Sequence, residues 1–262
     1  MNGTQLIQQI LHYATLPGAA GLICVLTFML CDRRRGRLMF LSLSAAVSLC
    51  LLLKEFFKVS RPWWTDVSTA PYLAEGGYAF PCLHTMLTAA LLSVLALTSG
   101  RKIIRFLCVF GIWLIAVWRI LTGLQSIADV LAGLVCGMMT AALIFRFSYG
   151  TLKKTSSLIV GIVIFAAGLA AAVILDDGWG LGSFLTAAIL NLLEKPFQKA
   201  ETGRTTFGKI YGTVFAAGIY AGLIIFLPFL VEWLVTPLWP GQTLIVFLIT
   251  FVPCLLRLFP IF

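Results

Sequence analysis

Charge is what this sequence lacks most. Only 11% of its 262 residues are Asp, Glu, Lys or Arg, against roughly 25% in a soluble globular domain. The longest polar connection is about 25 residues, too short to bury a core of its own. A soluble domain of useful size is therefore excluded. The seven cysteines are Cys24, Cys31, Cys50, Cys82, Cys108, Cys136 and Cys254; they form no C-x-x-C pair and no zinc spacing. Most lie in apolar runs, where Cys behaves as a small hydrophobe, so no disulfide framework is expected. There is no glycine-rich phosphate loop, dinucleotide fingerprint or internal repeat. The segment before the first apolar run has no basic region and no small-residue cleavage site after that run, so residues 1–15 do not read as a signal peptide. Cys-Asp-Arg-Arg-Arg-Gly-Arg follows directly, a stop-transfer pattern.

What is present is hydrocarbon. Sixty per cent of the residues are hydrophobic and the mean hydropathy is +1.01. The fold class expected is all-α, a polytopic transmembrane helical bundle. A bilayer core needs about 20 apolar helical residues. Nine spans are predicted, near 14–31, 38–57, 83–99, 103–121, 127–147, 157–175, 179–194, 207–231 and 243–259, with eight as the alternative. The seventh is short and contains Asn191.

Basic residues set the orientation. With the 33–37 loop in the cytoplasm and strict alternation, 15 of the 19 Lys and Arg fall on the cytoplasmic side, and seven of the ten acids on the other. This is the positive-inside pattern. It accounts for the net charge of +9 without nucleic acid as a partner. It places the N-terminus outside the cytoplasm and, with nine spans, the C-terminus inside. Only Lys54, Lys58, Arg61 and Arg119 remain on the outer side. Snorkelling to headgroups explains Lys58; it explains the fixed spacing of the other three less well. Gly133 with Gly137, and Gly218 with Gly222, form G-x-x-x-G pairs that let helices approach closely. Trp63, Trp64, Trp179, Trp233 and Trp239 fall near the expected interfaces, where such rings anchor.

Three segments far apart in sequence converge at the outer face under this topology. Residues 54–62 carry Lys54, Arg61 and Pro62; residues 80–85 carry Pro81, Cys82, Leu83 and His84; residues 118–133 carry Arg119, Gln125 and Asp129. Ionisable residues at a membrane boundary are costly and mark functional sites. Arg offers a planar fork of donors for phosphate oxygens and Lys a point charge. The start of the third span aims free backbone N–H groups at the same place. His84 suits a general acid toward a leaving oxygen, and Asp129 suits an orienting partner.

These segments resemble the three signature motifs of the type 2 phosphatidic acid phosphatase family, which includes lipid phosphate phosphatases and shares its site with vanadium haloperoxidases. K-x6-R-P matches in full at Lys54, Arg61 and Pro62. P-S-G-H matches at Pro81 and His84, with Cys82 for Ser and Leu83 for Gly. S-R-x5-H-x3-D matches at Arg119 and Asp129, with Trp118 for Ser and Gln125 for the second His. The motifs cover about residues 17–150. The resemblance implies a six-helix membrane core, with its first five spans and all three motifs in residues 1–150, one further span from residues 151–262 completing it and the rest of that segment an extension.

It also implies roles. Lys54, Arg61 and Arg119 would bind phosphate, beside Cys82 and Leu83. His84 would protonate the leaving group, and Asp129 would orient the nucleophile. No metal or other cofactor is implied. The expected partner is a phospholipid or polyprenyl phosphate headgroup, in the cell membrane, with the site at the extracytoplasmic face. Gln125 stands where the family's nucleophilic histidine would be, and its delocalised amide nitrogen is no nucleophile. The leading expectation is a headgroup-binding relative with weak or absent turnover. The alternatives are an active lipid phosphatase with a rearranged nucleophile, such as the Cys82 thiol at a helix N-terminus, and a non-enzymatic partner-binding or transporter-like protein.

Overall fold

The computed structural model describes residues 9–12, 15–30, 32–64, 77–149, 214, 216, 218–220 and 240–255. Among these every regular element is helical. In chain order they are α1 (Pro17–Leu30), α2 (Arg33–Phe57), a 3₁₀ turn (Pro62–Trp64), α3 (Leu83–Thr98), α4 (Lys102–Leu121), α5 (Ile127–Tyr149) and α6 (Pro240–Leu255).

Local chemistry sets the ends. Proline opens α1 at a position where a missing N–H costs nothing. The Asp32 carboxylate accepts from the Arg34 amide at 2.9 Å, so α2 starts at Arg33, five residues before the expected start at 38. Its arginine turn extends the helix beyond the apolar run. At the other end Lys58 adopts the left-handed conformation, with φ 48°, and its N–H returns to the Lys54 carbonyl. Between α4 and α5 the chain reverses through Gly123, whose φ of 70° suits a residue without Cβ.

Among the described residues, three helices are long and apolar enough to cross a membrane: Arg33–Phe57, Lys102–Leu121 and Ile127–Arg146. Helices α1 and α3 are apolar but shorter. The expected spans at 157–175 and 179–194 lie outside the described residues. Of the span at 207–231, residues 214, 216 and 218–220 are described, and all are helical. The expected span at 243–259 corresponds to α6.

Helix α3 is the hub, packing on α5, α4 and α2. The α3–α5 contact is the tightest. A Cβ added at Gly133 would lie 2.6 Å from the Cys82 carbonyl oxygen; one at Gly137 would strike the Met86 carbonyl oxygen and lie 2.9 Å from Ala89 Cβ. The expected G-x-x-x-G seam is therefore realised at Gly133 and Gly137. Gly218 has no described atom within 4 Å of such a Cβ, and Gly222 lies outside the described residues. The buried core runs from Cys24, Phe28, Met39 and Leu43 through Met86 and Val94 to Ile144, and also takes in Tyr220, Ile249 and Cys254. Tyr220 Oη donates to the Gly18 carbonyl at 2.5 Å, and α6 packs on α1. Facing outward, α4 exposes Ile103, Phe106, Phe110, Trp113 and Val117, and α5 exposes Leu131, Val135 and Met139. Apolar side chains outside, with Arg119 inside, suit a hydrocarbon solvent.

Candidate phosphate-binding site

The end of α2, the starts of α3 and α5 and the end of α4 lie at one end of the bundle. Hydrogen bonds record this. Lys54 Nζ donates to the Tyr78 carbonyl, Cys50 Sγ to the Pro81 carbonyl at 3.5 Å, and the Cys82 amide to the Asp129 carbonyl at 3.0 Å. The loops after α2 and before α3 clasp each other. Ala79 N–H donates to Val59 at 2.9 Å, Arg61 Nε donates to Gly77 at 2.9 Å, and Phe57 meets Phe80 edge to face.

Gln125 sits at the centre of this clasp, only 4% exposed. With its amide oriented to suit its surroundings, its oxygen accepts from Arg61 Nη1 at 3.0 Å. Its nitrogen donates to Asp129 Oδ2 at 3.2 Å and to the Ala79 carbonyl at 3.0 Å. The structure thus brings Arg61, Gln125 and Asp129 together. Asp129 has a second task. Its Oδ2 accepts from the Ser126 amide at 2.9 Å, while Ser126 Oγ accepts from the Asp129 amide at 3.2 Å. That reciprocal pair is a capping box that starts α5. The signal is in the sequence, as Ser126-x-x-Asp129, beside the motif position of Asp129.

The other candidates divide. Arg61, Arg119, His84 and Asp129 are all buried. Arg119 is fully so, in the last turn of α4, with its Cζ 5.5 Å from the Trp118 ring centroid. Cys82 caps α3 without a side-chain capping bond. Its thiol accepts from Thr85 Oγ1 at 3.3 Å and packs with Ala89, Ile112, Ala116, Val130 and Leu134. Leu83 leans on the main core. Lys58 stays outside the cluster, exposed, 2.8 Å from Glu55, whose carboxylate raises its pKa above the ordinary lysine value.

One residue escaped the sequence reading. His12, in the helical residues 9–12 before α1, lies with its ring centroid 5.3 Å from that of His84. Its neighbour Leu11 packs on Ile115, Trp118 and Leu124. Thr15 Oγ1 ties the turn down, donating to the Leu11 and His12 carbonyls at 2.9 and 3.0 Å. The available signal was topological: strict alternation puts the residues before α1 on the same side as the three motifs.

Among the described residues, a helical bundle with apolar outer faces and buried arginines defines a membrane protein. A model of the PAP2 superfamily matches residues 19–153, more than half of the chain. The chain belongs to the PAP2 superfamily, a family of phosphatase-type hydrolases. Neither the curated proteins nor the solved structures gave a significant match.

Proposed function

We propose that this chain is a multi-pass membrane protein that holds the phosphate of a lipid headgroup at its extracytoplasmic end, with hydrolysis impaired at Gln125. Lys54, Arg61 and Arg119 hold the phosphoryl oxygens beside Cys82 and Leu83, His84 faces the leaving oxygen, and Asp129 orients residue 125. Residues 1–150 form the phosphatase-type core. Residues 151–262 add the remaining spans of about nine, one completing that core. The bridge from Arg61 through Gln125 to Asp129 carries the reading. It occupies every polar atom of the amide in structural bonds, so residue 125 anchors an arginine instead of attacking phosphorus. Decay of the site would leave costly buried cations without such partners. Losing a covalent nucleophile removes most of the rate while binding survives.

The test is phosphate release by purified protein from phosphatidic acid, phosphatidylglycerophosphate and a polyprenyl diphosphate, beside binding of the same lipids. Binding without release is expected. Release that disappears in His84→Ala would overturn the impaired-turnover reading and favour a rearranged nucleophile.

A further inference from the structure

The chain contains two histidines, and they meet. His84 is buried at the start of α3, while His12 reaches it from the helical residues 9–12 before α1, 5.3 Å between centroids and 32° between planes. The contact is built from both sides. Leu11 is wedged against Ile115, Trp118 and Leu124, and Thr15 closes the turn that carries His12.

Two imidazoles at this separation oppose each other's protonation. Their surroundings add to that. Among the described residues, the charged groups at this end are Lys54 and Glu55 on α2, Lys58 and Arg61 on the following loop, Arg119 on α4 and Asp129 on α5; α1 has none and α3 only His84. Four cations against two acids disfavour a further positive charge. A dianion held beside the pair reverses the balance, because an imidazolium donates from both ring nitrogens and a neutral ring from one.

We propose that His12 is a further residue of the phosphate site. In this reading, which rests on the headgroup proposal above, His12 and His84 form a clamp that takes up a proton as it closes on a phosphate monoester. The dianion of a monoester drives that uptake more strongly than the single charge of a diester. The ligand class is thus a terminal phosphoryl group, whether on a lipid or free.

Imidazole ¹⁵N spectra of the full chain, labelled only at histidine and held in detergent micelles at pH 7.5, read this directly. Two residues give two sets of signals. Dihexanoyl phosphatidic acid, inorganic phosphate and dihexanoyl phosphatidylglycerol are titrated in parallel. Both histidines are expected to shift toward the imidazolium position with phosphatidic acid, and far less with phosphatidylglycerol. A response to phosphatidic acid without one to inorganic phosphate supports the clamp and names the lipid as its source; a response to both supports a clamp for the phosphoryl group itself. His12→Gln is expected to weaken phosphatidic acid binding about tenfold, as loss of one charge-assisted hydrogen bond would. The wild-type spectra decide the matter even if that variant does not fold. Movement of His84 alone, or equal responses to monoester and diester, overturns the clamp. Binding that Arg61→Ala abolishes and His12→Gln leaves intact overturns the role of His12 while the headgroup reading stands. No binding of any probe by wild type overturns both.

Discussion

Gln125 makes three hydrogen bonds, one to each of three different chain segments. A histidine there would reach Asp129 with one ring nitrogen and would lose either the Arg61 or the Ala79 contact. Gln125→His alone is therefore expected to restore little phosphate release, despite a carboxylate placed to fix the tautomer. Appreciable release is expected only with Cys82→Ser and Leu83→Gly added, because phosphoryl transfer depends on in-line placement and stabilised equatorial oxygens. The three effects should be strongly non-additive. A triple variant that binds headgroup yet stays inert would show that the site has drifted beyond these positions. Arg61→Ala removes the bonds to Gln125 and Gly77 and, in the function proposed above, a phosphate donor. Headgroup affinity is expected to fall by about tenfold to a hundredfold, of the order expected for charge-assisted hydrogen bonds; an unchanged affinity would place the anion elsewhere. At this scale the three motifs were legible because their spacing survives substitution. His12 was not, because a single histidine before the first apolar run carries no periodic or motif signal.

Among the elements, α3 and α5 depend on each other most. Gly137→Val would push side-chain carbons into the Met86 carbonyl and Ala89. Overpacking of this kind costs about 1–3 kcal/mol, so a clear drop in the thermal midpoint of detergent-solubilised protein is expected, and a neutral result would mean the helices are free to part. Ser126→Ala removes one half of the capping box and should cost about 1 kcal/mol. It should also loosen Asp129, which that box holds in register with Gln125. Apolar runs located these helices well because hydrocarbon length sets a span. The start of α2 was less legible, since a side-chain cap sets it: Asp32 moved it outward by a full turn, whereas the expected end at 57 is where the left-handed Lys58 stops the helix.

For the whole molecule, the sidedness of basic residues leads to a definite expectation. Ile127 is exposed at the start of α5. With other cysteines masked, Ile127→Cys should react with an impermeant thiol reagent in intact cells, and labelling only after lysis would reverse the orientation proposed here. The fold class was legible because composition alone demands a lipid-facing exterior. The association of the C-terminal part with α1 was not, because Tyr220 finds the Gly18 carbonyl across some two hundred residues and no local pattern encodes that. The glycine seam has a consequence for motion. Between α3 and α5 no layer of side chains intervenes at Gly133 and Gly137, so sliding would first require the two backbones to separate and lose this contact. The pair moves as one stiff rod, and its amides should be among the last to exchange with deuterated solvent. The clasp around Gln125 is different, a set of separate hydrogen bonds and ring contacts that can release one at a time. In the function proposed above, any widening that admits a headgroup therefore belongs to the loops around Gln125 and not to the α3–α5 seam.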